Sequence, residues 1–447
     1  MFMEDVVAKI WEPVSREYAD TYRRVMELTG DELYREIIKE MDDVEFVSLQ
    51  NEWLAMTNLA VTGCQHCIKN GRFSGCSFCD YYSAHATGIA KLAALKQKDP
   101  QYYAKVVYRS FENSRSGSAG PAVVEYISGH DTLNPDVITD DIYEEFQNNN
   151  KVFKQKSLYC FFETRASNIT VERLQRWREK IGHKISSRIV VEFGMEVGNE
   201  WVRNHWLNKN ITNREIFKAI GEIRKARYYS GTSILIGIPG LTDRQSLELF
   251  RETYCALHDA GTDFIICLPL VRKKYTLQDF LYNEMQHDPA LIDLGIACGA
   301  QTGMPSVFTL FQAIFTVIQD RPESAKKIIL GPVYFPPYFE AMNNIYRGTE
   351  MEPYVRKINV GLDKFGKDKD FAILQDLMNS LQHEKMYQEY QASLKKQPGL
   401  RDLERTIRVA GEAFAQKIWP SDWRNKCNGL YEELSSYRPG VSMERED

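Results

Sequence analysis

The chain has 447 residues, of which 43% are hydrophobic and 26% charged, values of an ordinary globular protein that exclude a disordered or fibrous one. The formal net charge of −5 at pH 7 excludes the overall basic excess that nucleic-acid binders usually carry. Nine cysteines in this length are too few for a disulfide scaffold.

The N-terminal region is predicted to be helical. Apolar residues recur at helical spacing over 8–30 and again over 32–41, which is typical of amphipathic helices. The first residues include acidic side chains where a secretion signal needs a basic start and an apolar run. We therefore expect a cytoplasmic protein.

From residue 54 onward, short apolar runs alternate with amphipathic helical stretches. The six runs span 54–62, 122–128, 157–163, 188–194, 232–238 and 263–271. This alternation is typical of βαβ units and a parallel sheet. We predict an α/β fold with a partial (β/α)6 TIM-like barrel, and a doubly wound sheet is the competing topology. The helical stretch before the sixth run should end at Gly261.

After residue 280 the pattern is mostly helical, with one further apolar run at 327–335 that is compatible with another strand. The longest weakly polar stretch, 307–318, has 12 residues, whereas a membrane span needs about 18 to 20. We expect no membrane partner. The predicted regions are an N-terminal helical extension over 1–50, a core barrel over 51–280 and a mostly helical C-terminal region over 281–447.

Four cysteines cluster directly after the first predicted strand, at Cys64, Cys67, Cys76 and Cys79. In α/β barrels the chemistry lies at the carboxyl ends of the strands. The spacing C-x2-C-x8-C-x2-C fits a zinc ion held by four thiolates or an iron–sulfur cluster held by three of them. Zinc usually stabilises a small module that lacks a core, so the position after a barrel strand favours the cluster.

This loop resembles the cluster loop of the radical S-adenosylmethionine (SAM) superfamily, whose members carry three cysteines after the first barrel strand, most often as CxxxCxxC. The longer spacing here resembles a subset that includes the elongator catalytic subunit family and the archaeosine-biosynthesis radical SAM proteins. Four later segments resemble the superfamily in the same order, at 123–138, 161–170, 190–212 and 234–243.

The resemblance implies two cofactors, a 4Fe-4S cluster and SAM. Three thiolates would hold the cluster and leave one iron open to the amino and carboxylate groups of SAM. Reduction by an external donor of the flavodoxin or ferredoxin type would release a 5′-deoxyadenosyl radical, which abstracts hydrogen from the substrate. The cofactor carries this chemistry, and the protein positions it and excludes water.

The resemblance also assigns the cluster ligands. Cys76 and Cys79 match the end of the family motif, and Phe78 between them would lie near the adenine or simply pack. Cys64 is the preferred first ligand because it follows the strand directly. Cys67 is the alternative first ligand.

The first group of cofactor-binding residues follows the second and third strands. Ser128, Gly129 and His130 form the turn whose carbonyls would accept hydrogen bonds from the SAM ammonium; a plain βα turn is the alternative. Glu163 and Arg165 lie at the next strand end. A carboxylate suits the ribose hydroxyls or the ammonium, and a guanidinium suits the SAM carboxylate.

The second group lies further along the chain. Glu196 follows the fourth strand. The alternative role of Glu163, Arg165 and Glu196 is a mutual salt bridge. Lys209 would reach the SAM carboxylate or remain solvated. Gly237 and Pro239 would shape the adenine pocket.

We expect the substrate to be a small molecule, such as a secondary metabolite. The chain is acidic and its basic spots are small and separated, whereas phosphate contacts dominate nucleic-acid affinity. Two alternatives stay open: a tRNA-modifying radical SAM enzyme, and a zinc-bound scaffold or binding module.

Overall fold

The computed structural model of the chain describes residues 1–43, 54–69, 72–79, 81–116, 123–149, 156–331 and 342–441. Its strands are β1 (Leu54–Asn58), β2 (Ile68–Lys69), β3 (Arg72–Phe73), β4 (Val124–Ser128), β5 (Tyr159–Glu163), β6 (Ile189–Glu196), β7 (Tyr229–Ile236), β8 (Phe264–Pro269) and β9 (Ile328–Leu330). Seven of them form one parallel sheet in the order β1-β4-β5-β6-β7-β8-β9, and β2 and β3 form a separate antiparallel pair.

The sheet is surrounded by helices. They are α1 (Phe2–Ile10), α2 (Glu12–Val25), α3 (Gly30–Asp43), α4 (Tyr81–Lys98), α5 (Pro100–Ser116), α6 (Asp140–Asn148), α7 (Val171–Trp177), α8 (His183–Ile185), α9 (Asn213–Lys225), α10 (Asp243–Ala260), α11 (Leu277–Met285), α12 (Pro289–Leu294), α13 (Val307–Asp320), α14 (Met342–Ile345), α15 (Glu352–Asp368), α16 (Phe371–Leu381), α17 (Lys385–Lys396), α18 (Leu403–Ile418) and α19 (Trp423–Leu434).

The seven parallel strands curl into a half-barrel, which confirms the predicted α/β partial barrel. A doubly wound sheet would reverse its strand order at a switch point, but the order here follows the chain without reversal. The sheet has one strand more than the predicted six. The seventh, β9, pairs with β8 in the register Ile265↔Ile328, and it corresponds to the apolar run that begins at residue 327.

Helix ends are set by local sequence signals. Thr212 and Thr242 each accept a hydrogen bond from the backbone of a residue three positions on and close a capping box at the start of α9 and α10. The predicted end of α10 is confirmed, since Gly261 adopts a left-handed conformation with φ of 79°. A left-handed C-cap favours glycine because it has no β-carbon.

The two faces of the sheet differ in what they bury. Outward side chains such as Phe162, Val191 and Ile265 join the large apolar core between the sheet and the helices. Inward side chains such as Phe161 and Ile266 form a smaller cluster inside the half-barrel. Because successive side chains on a strand alternate between faces, the interior is lined by every second residue.

The helical regions before and after the sheet pack on each other. Phe2 on α1 lies in the same buried cluster as Phe414 and Leu430 from α18 and α19, and its ring stands 6.3 Å from that of Trp419. The predicted boundary at residue 50 lies outside the described residues, and the one at residue 280 falls within α11.

The apolar stretch from residue 307 forms α13, a helix that is buried against α10 and α15. In the described part of the chain, no helix is both long and apolar enough to cross a lipid bilayer.

Candidate functional site

A cavity of about 620 Å³ lies inside the half-barrel. This volume is within the range of about 300 to 1,000 Å³ that holds small molecules and cofactors. Eleven of the residues singled out from the sequence line it: Cys64, Cys67, Cys76, Phe78, Cys79, Ser128, His130, Glu163, Arg165, Glu196 and Lys209. Residues distant in sequence therefore meet at one place, at the carboxyl ends of the parallel strands.

The cysteine loop is fixed to the strand ends by main-chain contacts. The amide of Ser77 donates to the carbonyl of Leu207 at 3.0 Å, and the side-chain amide of Asn208 donates to the carbonyl of Gly75 at 2.7 Å. The carbonyl of Ser77 accepts from the amide of Leu277 at 2.7 Å. The loop is thereby anchored at both sides of Cys76.

The two cysteines nearest β1 have different surroundings. Cys64 is half-buried, whereas Cys67 is 2% exposed and packs beside Trp11 and Phe73. The pKa of Cys64 is lowered by a hydrogen bond from Cys67 and by the nearby guanidinium of Arg165. The pKa of Cys67 is raised by that same hydrogen bond and by burial. Of the two, Cys64 is the one the protein favours as a thiolate.

A single metal ion and a 4Fe-4S cluster require different arrangements of these thiols, because the cluster is larger. No three His, Cys, Asp or Glu side chains of the described residues converge on one point as ligands of a single metal ion do. Thiolates that hold a 4Fe-4S cluster bind different iron atoms, so they do not converge in this way. Four cysteines that line one large cavity fit a cluster in donor chemistry and number.

Glu163 at the end of β5 is a centre of hydrogen bonds. Its Oε1 accepts from the Ser128 hydroxyl at 2.5 Å and from the His130 amide at 3.0 Å. Its Oε2 accepts from the Tyr126 hydroxyl at 3.2 Å. His130 adopts a left-handed backbone with φ of 56°, and its imidazole lies 3.4 Å from the same carboxylate. The β4 turn and the β5 end are thus joined by Glu163.

Arg165 is held beside Cys64 by its own main chain and by a neighbouring loop. Its amide donates to Asp131 at 2.9 Å. Its Nη2 donates to the carbonyls of Lys209 and Asn210 at 2.9 and 3.2 Å, and its Nη1 lies 4.0 Å from the sulfur of Cys64. The guanidinium therefore presents positive charge to the cysteine wall.

Glu196 and Lys209 form a buried ion pair over β6, with Nζ to Oε1 at 2.8 Å. Glu196 follows an irregularity in the β6–β7 pairing and has a positive φ of 64°. The pair lies directly over Gly194, where an added β-carbon would stand 2.1 Å from Glu196 Oε1 and 2.8 Å from Lys209 Nζ. The ion pair occupies the space that a β-carbon at position 194 would take.

We expect Gly194→Ala to destabilise the protein by about 1 to 3 kcal/mol, because the new methyl group must displace the ion pair. Gly221→Ala is the matched control, since Gly221 lies within α9 with no atom near the added carbon, and alanine there should stabilise by up to about 1 kcal/mol. Chemical denaturation measures both. Equal stability of the two variants would contradict the crowding at Gly194.

Three predicted residues do not line the cavity. Gly129 lies in the β4 turn, where an added β-carbon would stand 2.8 Å from Thr132 Oγ1. Gly237 and Pro239 line a separate void of about 20 Å³. Gly237 has a φ of 96°, and a β-carbon added there would stand 2.7 to 3.0 Å from the ring atoms of Pro305.

The sequence analysis missed five polar residues of the cavity, which are Tyr81, Tyr126, Thr164, Glu192 and Ser233. Glu192 precedes Glu196 by four residues on β6, and a period of two places both on one face of a strand. This alternation was the sequence signal from which Glu192 could have been predicted. Burial raises the pKa of Glu192 to about 7, the Ser233 and Tyr126 hydroxyls oppose this rise, and the nearby carboxylates of Glu163 and Glu196 add to it.

We expect Glu192→Gln to stabilise the protein at pH 8 and not at pH 5. With a native pKa of about 7 against about 4.3 unfolded, the native state binds more protons between these values, so stability falls as pH rises and levels off above 7. Glutamine removes this loss, worth at most about 4 kcal/mol at pH 8. Thermal unfolding at both pH values measures the gain in stability. An equal gain at pH 5 would contradict the raised pKa of Glu192 as its cause.

Comparison with known proteins gives little sequence likeness. No protein-family model matches the chain, and no curated protein matches it significantly. Among solved structures, it is similar to the radical SAM methyltransferase TsrM from Kitasatospora setae with tryptophan and a SAM analogue bound, at 12% identity and a TM-score of 0.37 over 70% of this chain and 62% of that one.

A second structure of TsrM, with cobalamin and a 4Fe-4S cluster bound, gives 12% identity and a TM-score of 0.37 over 73% of this chain and 61% of that one. The chain therefore spans about three fifths of the length of TsrM. Likeness of this degree does not identify the activity of the chain.

Proposed function

We propose that the protein is a radical SAM enzyme that holds a 4Fe-4S cluster and SAM in the half-barrel cavity and acts on a small molecule. The observation that carries the proposal is that Cys64, Cys67, Cys76 and Cys79 line the same cavity as the charged side chains at the strand ends. Thiolates suit iron, and paired cationic and anionic side chains suit the zwitterionic methionyl end of SAM.

Cys64, Cys76 and Cys79 are the proposed cluster ligands. Both Cys64 and Cys67 line the cavity, but Cys64 lies beside the guanidinium of Arg165, whereas Cys67 is the more buried and packs with Trp11 and Phe73. The positive charges of Arg165 and Lys209 lower the cost of gathering thiolates in a buried site, because they offset the burial that raises the pKa of Cys76. When bound, cluster and SAM together supply a 5′-deoxyadenosyl radical on reduction.

The chain's own residues bind and orient the second cofactor. Arg165 retains donors that can hold the SAM carboxylate, and the carbonyls of the Ser128–His130 turn and the Glu163 carboxylate can accept from its ammonium. The buried pair of Glu196 and Lys209 closes the β6 side of the cavity. Phe78 lies on the cavity wall within the cysteine loop and offers an aromatic face to a base.

The proposal also covers the substrate, the electron donor and the cellular location. A cavity of about 620 Å³ inside the half-barrel favours a small-molecule substrate over tRNA, because a folded nucleic acid needs an exposed basic surface. An external one-electron donor of the flavodoxin or ferredoxin type must reduce the cluster. Free thiols suit the reducing cytoplasm, where we place the enzyme.

The test is anaerobic reconstitution of the full chain with iron and sulfide, followed by reduction, addition of SAM and chromatography for 5′-deoxyadenosine. We expect a brown protein with about four irons per chain and formation of 5′-deoxyadenosine. A colourless protein that retains stoichiometric zinc, binds no iron and forms no 5′-deoxyadenosine would contradict the proposal and support a zinc-bound scaffold.

A further inference from the structure

The carboxylate of Glu192 is a buried group on the cavity wall to which the proposed cofactors assign no role. The residue is 6% exposed and lines the cavity from β6. Its Oε1 accepts from the Ser233 hydroxyl, and its Oε2 has no hydrogen-bond partner within the described residues. A buried carboxylate oxygen without a donor costs free energy, so a donor brought by a ligand would be favoured here.

The neighbouring phenol is close enough to lower the pKa of Glu192, but Glu192 Oε2 has no hydrogen bond from it. The Tyr126 hydroxyl lies near both Glu163 and Glu192, but it donates to Glu163 Oε2 at 3.2 Å, and a phenol has one proton to give. Glu163 and Glu192 are also direct register partners on β5 and β6. Two carboxylates therefore stand side by side with one hydroxyl proton between them.

No lysine or arginine of the described chain forms an ion pair with these two carboxylates. Lys209 is paired with Glu196, and Arg165 donates to main-chain carbonyls beside Cys64. Within the described part of the chain, the one basic side chain at ion-pair distance from Glu163 is His130, whose imidazole lies 3.4 Å away. Above pH 7, where Glu192 is ionised, this part of the cavity therefore has an excess of negative charge that attracts a cationic group.

The remaining walls are aromatic and aliphatic. The rings of Tyr126 and Phe161 line the cavity together with Ile266, Leu268 and Ile329. An ammonium is attracted by aromatic faces as well as by carboxylates, and aliphatic walls bind an apolar body. The complementary ligand is an apolar molecule with one basic nitrogen.

We propose that Glu192 binds a protonated amine of the substrate, so that the enzyme acts on an apolar amine. This inference rests on the proposed function, which places the methionyl end of SAM at Arg165, Glu163 and the β4 turn and leaves Glu192 for the second molecule. SAM also carries an ammonium group, so the experiment separates these two sources of the same chemistry.

The experiment measures the binding of 2-phenylethylamine and of its neutral analogue 2-phenylethanol to the reconstituted full-length protein at pH 8 with SAM present. The wild type should bind the amine at least about tenfold more tightly than the alcohol. Glu192→Gln should reduce this preference to less than about twofold and leave SAM affinity unchanged. The matched control is Glu252→Gln on α10, another carboxylate with a buried oxygen that has no partner in the described chain, and it should retain the preference.

Three results would overturn the inference. Equal binding of amine and alcohol by the wild type would do so without any variant. Retention of the preference in Glu192→Gln would assign the amine to another group. A tenfold loss of SAM affinity in Glu192→Gln with the amine preference intact would assign Glu192 to SAM. Failure of the proposed function is seen separately, because the protein would then bind neither iron nor SAM. The amine preference can be measured on such a protein too.

Discussion

Replacing Cys76 with alanine should abolish the cluster, with iron falling from about four per chain to less than one and the visible absorption lost. Cys76 is buried on the cavity wall, between main-chain contacts that anchor the loop on both sides. With this ligand removed, two thiolates remain of the proposed three, and SAM cleavage should fall by at least about 100-fold because it depends on the cluster. Iron analysis and 5′-deoxyadenosine chromatography measure both effects.

The matched control for this variant is Cys67→Ala. The Cys67 thiol packs beside Trp11 and Phe73 and is not one of the proposed ligands. We expect Cys67→Ala to keep its iron and its activity, whereas Cys64→Ala should lose both. The reverse pattern, with iron lost in Cys67→Ala and kept in Cys64→Ala, would show that Cys67 and not Cys64 is the first ligand.

Replacing Arg165 with methionine should weaken SAM binding by about 10- to 100-fold, the value of a charge-assisted hydrogen bond to a carboxylate. Arg165 is held by Asp131 and by the carbonyls of Lys209 and Asn210, so its guanidinium is already oriented toward the cysteine wall. Arg165→Lys should fall between the wild type and Arg165→Met, because lysine keeps the charge but not the paired donors. Equilibrium binding to the reconstituted protein measures the effect.

Two controls separate a contact with the carboxylate from a structural role. 5′-Methylthioadenosine has the adenosine of SAM without its amino and carboxylate groups, and its affinity should be the same in Arg165→Met and the wild type. Arg178→Met removes a guanidinium that lies over the ring of Tyr228 outside the cavity and should leave SAM binding unchanged. Equal losses for SAM and 5′-methylthioadenosine would show that Arg165 only supports the loop.

Much of the fold could be predicted because strands and helices leave periodic signals in the sequence. The six apolar runs correspond to β1, β4, β5, β6, β7 and β8, and alternation with helices indicated their parallel arrangement. The seventh strand was visible only as an apolar run because it has three residues. The packing of α1 on the C-terminal helices could not be predicted, since pairing over 400 residues leaves no local pattern.

The candidate site was predictable where a motif or a strand end carried it. The cysteines, Glu163 and Arg165 were found in this way, and the structure brings them to one cavity. Glu192 was missed although it shares the alternation of Glu196, because one residue within an apolar run looks like ordinary strand sequence. Gly237 and Pro239 line a separate void, which spacing alone does not reveal.

The central claim is that this chain holds a 4Fe-4S cluster with one iron accessible to SAM. The most direct measurement is the EPR spectrum of the reconstituted, reduced protein before and after addition of SAM. We predict a 4Fe-4S signal that changes on addition of SAM in the wild type and is absent in Cys76→Ala. A 4Fe-4S signal that SAM leaves unchanged, in protein saturated with SAM, or the absence of any iron–sulfur signal, would contradict the account.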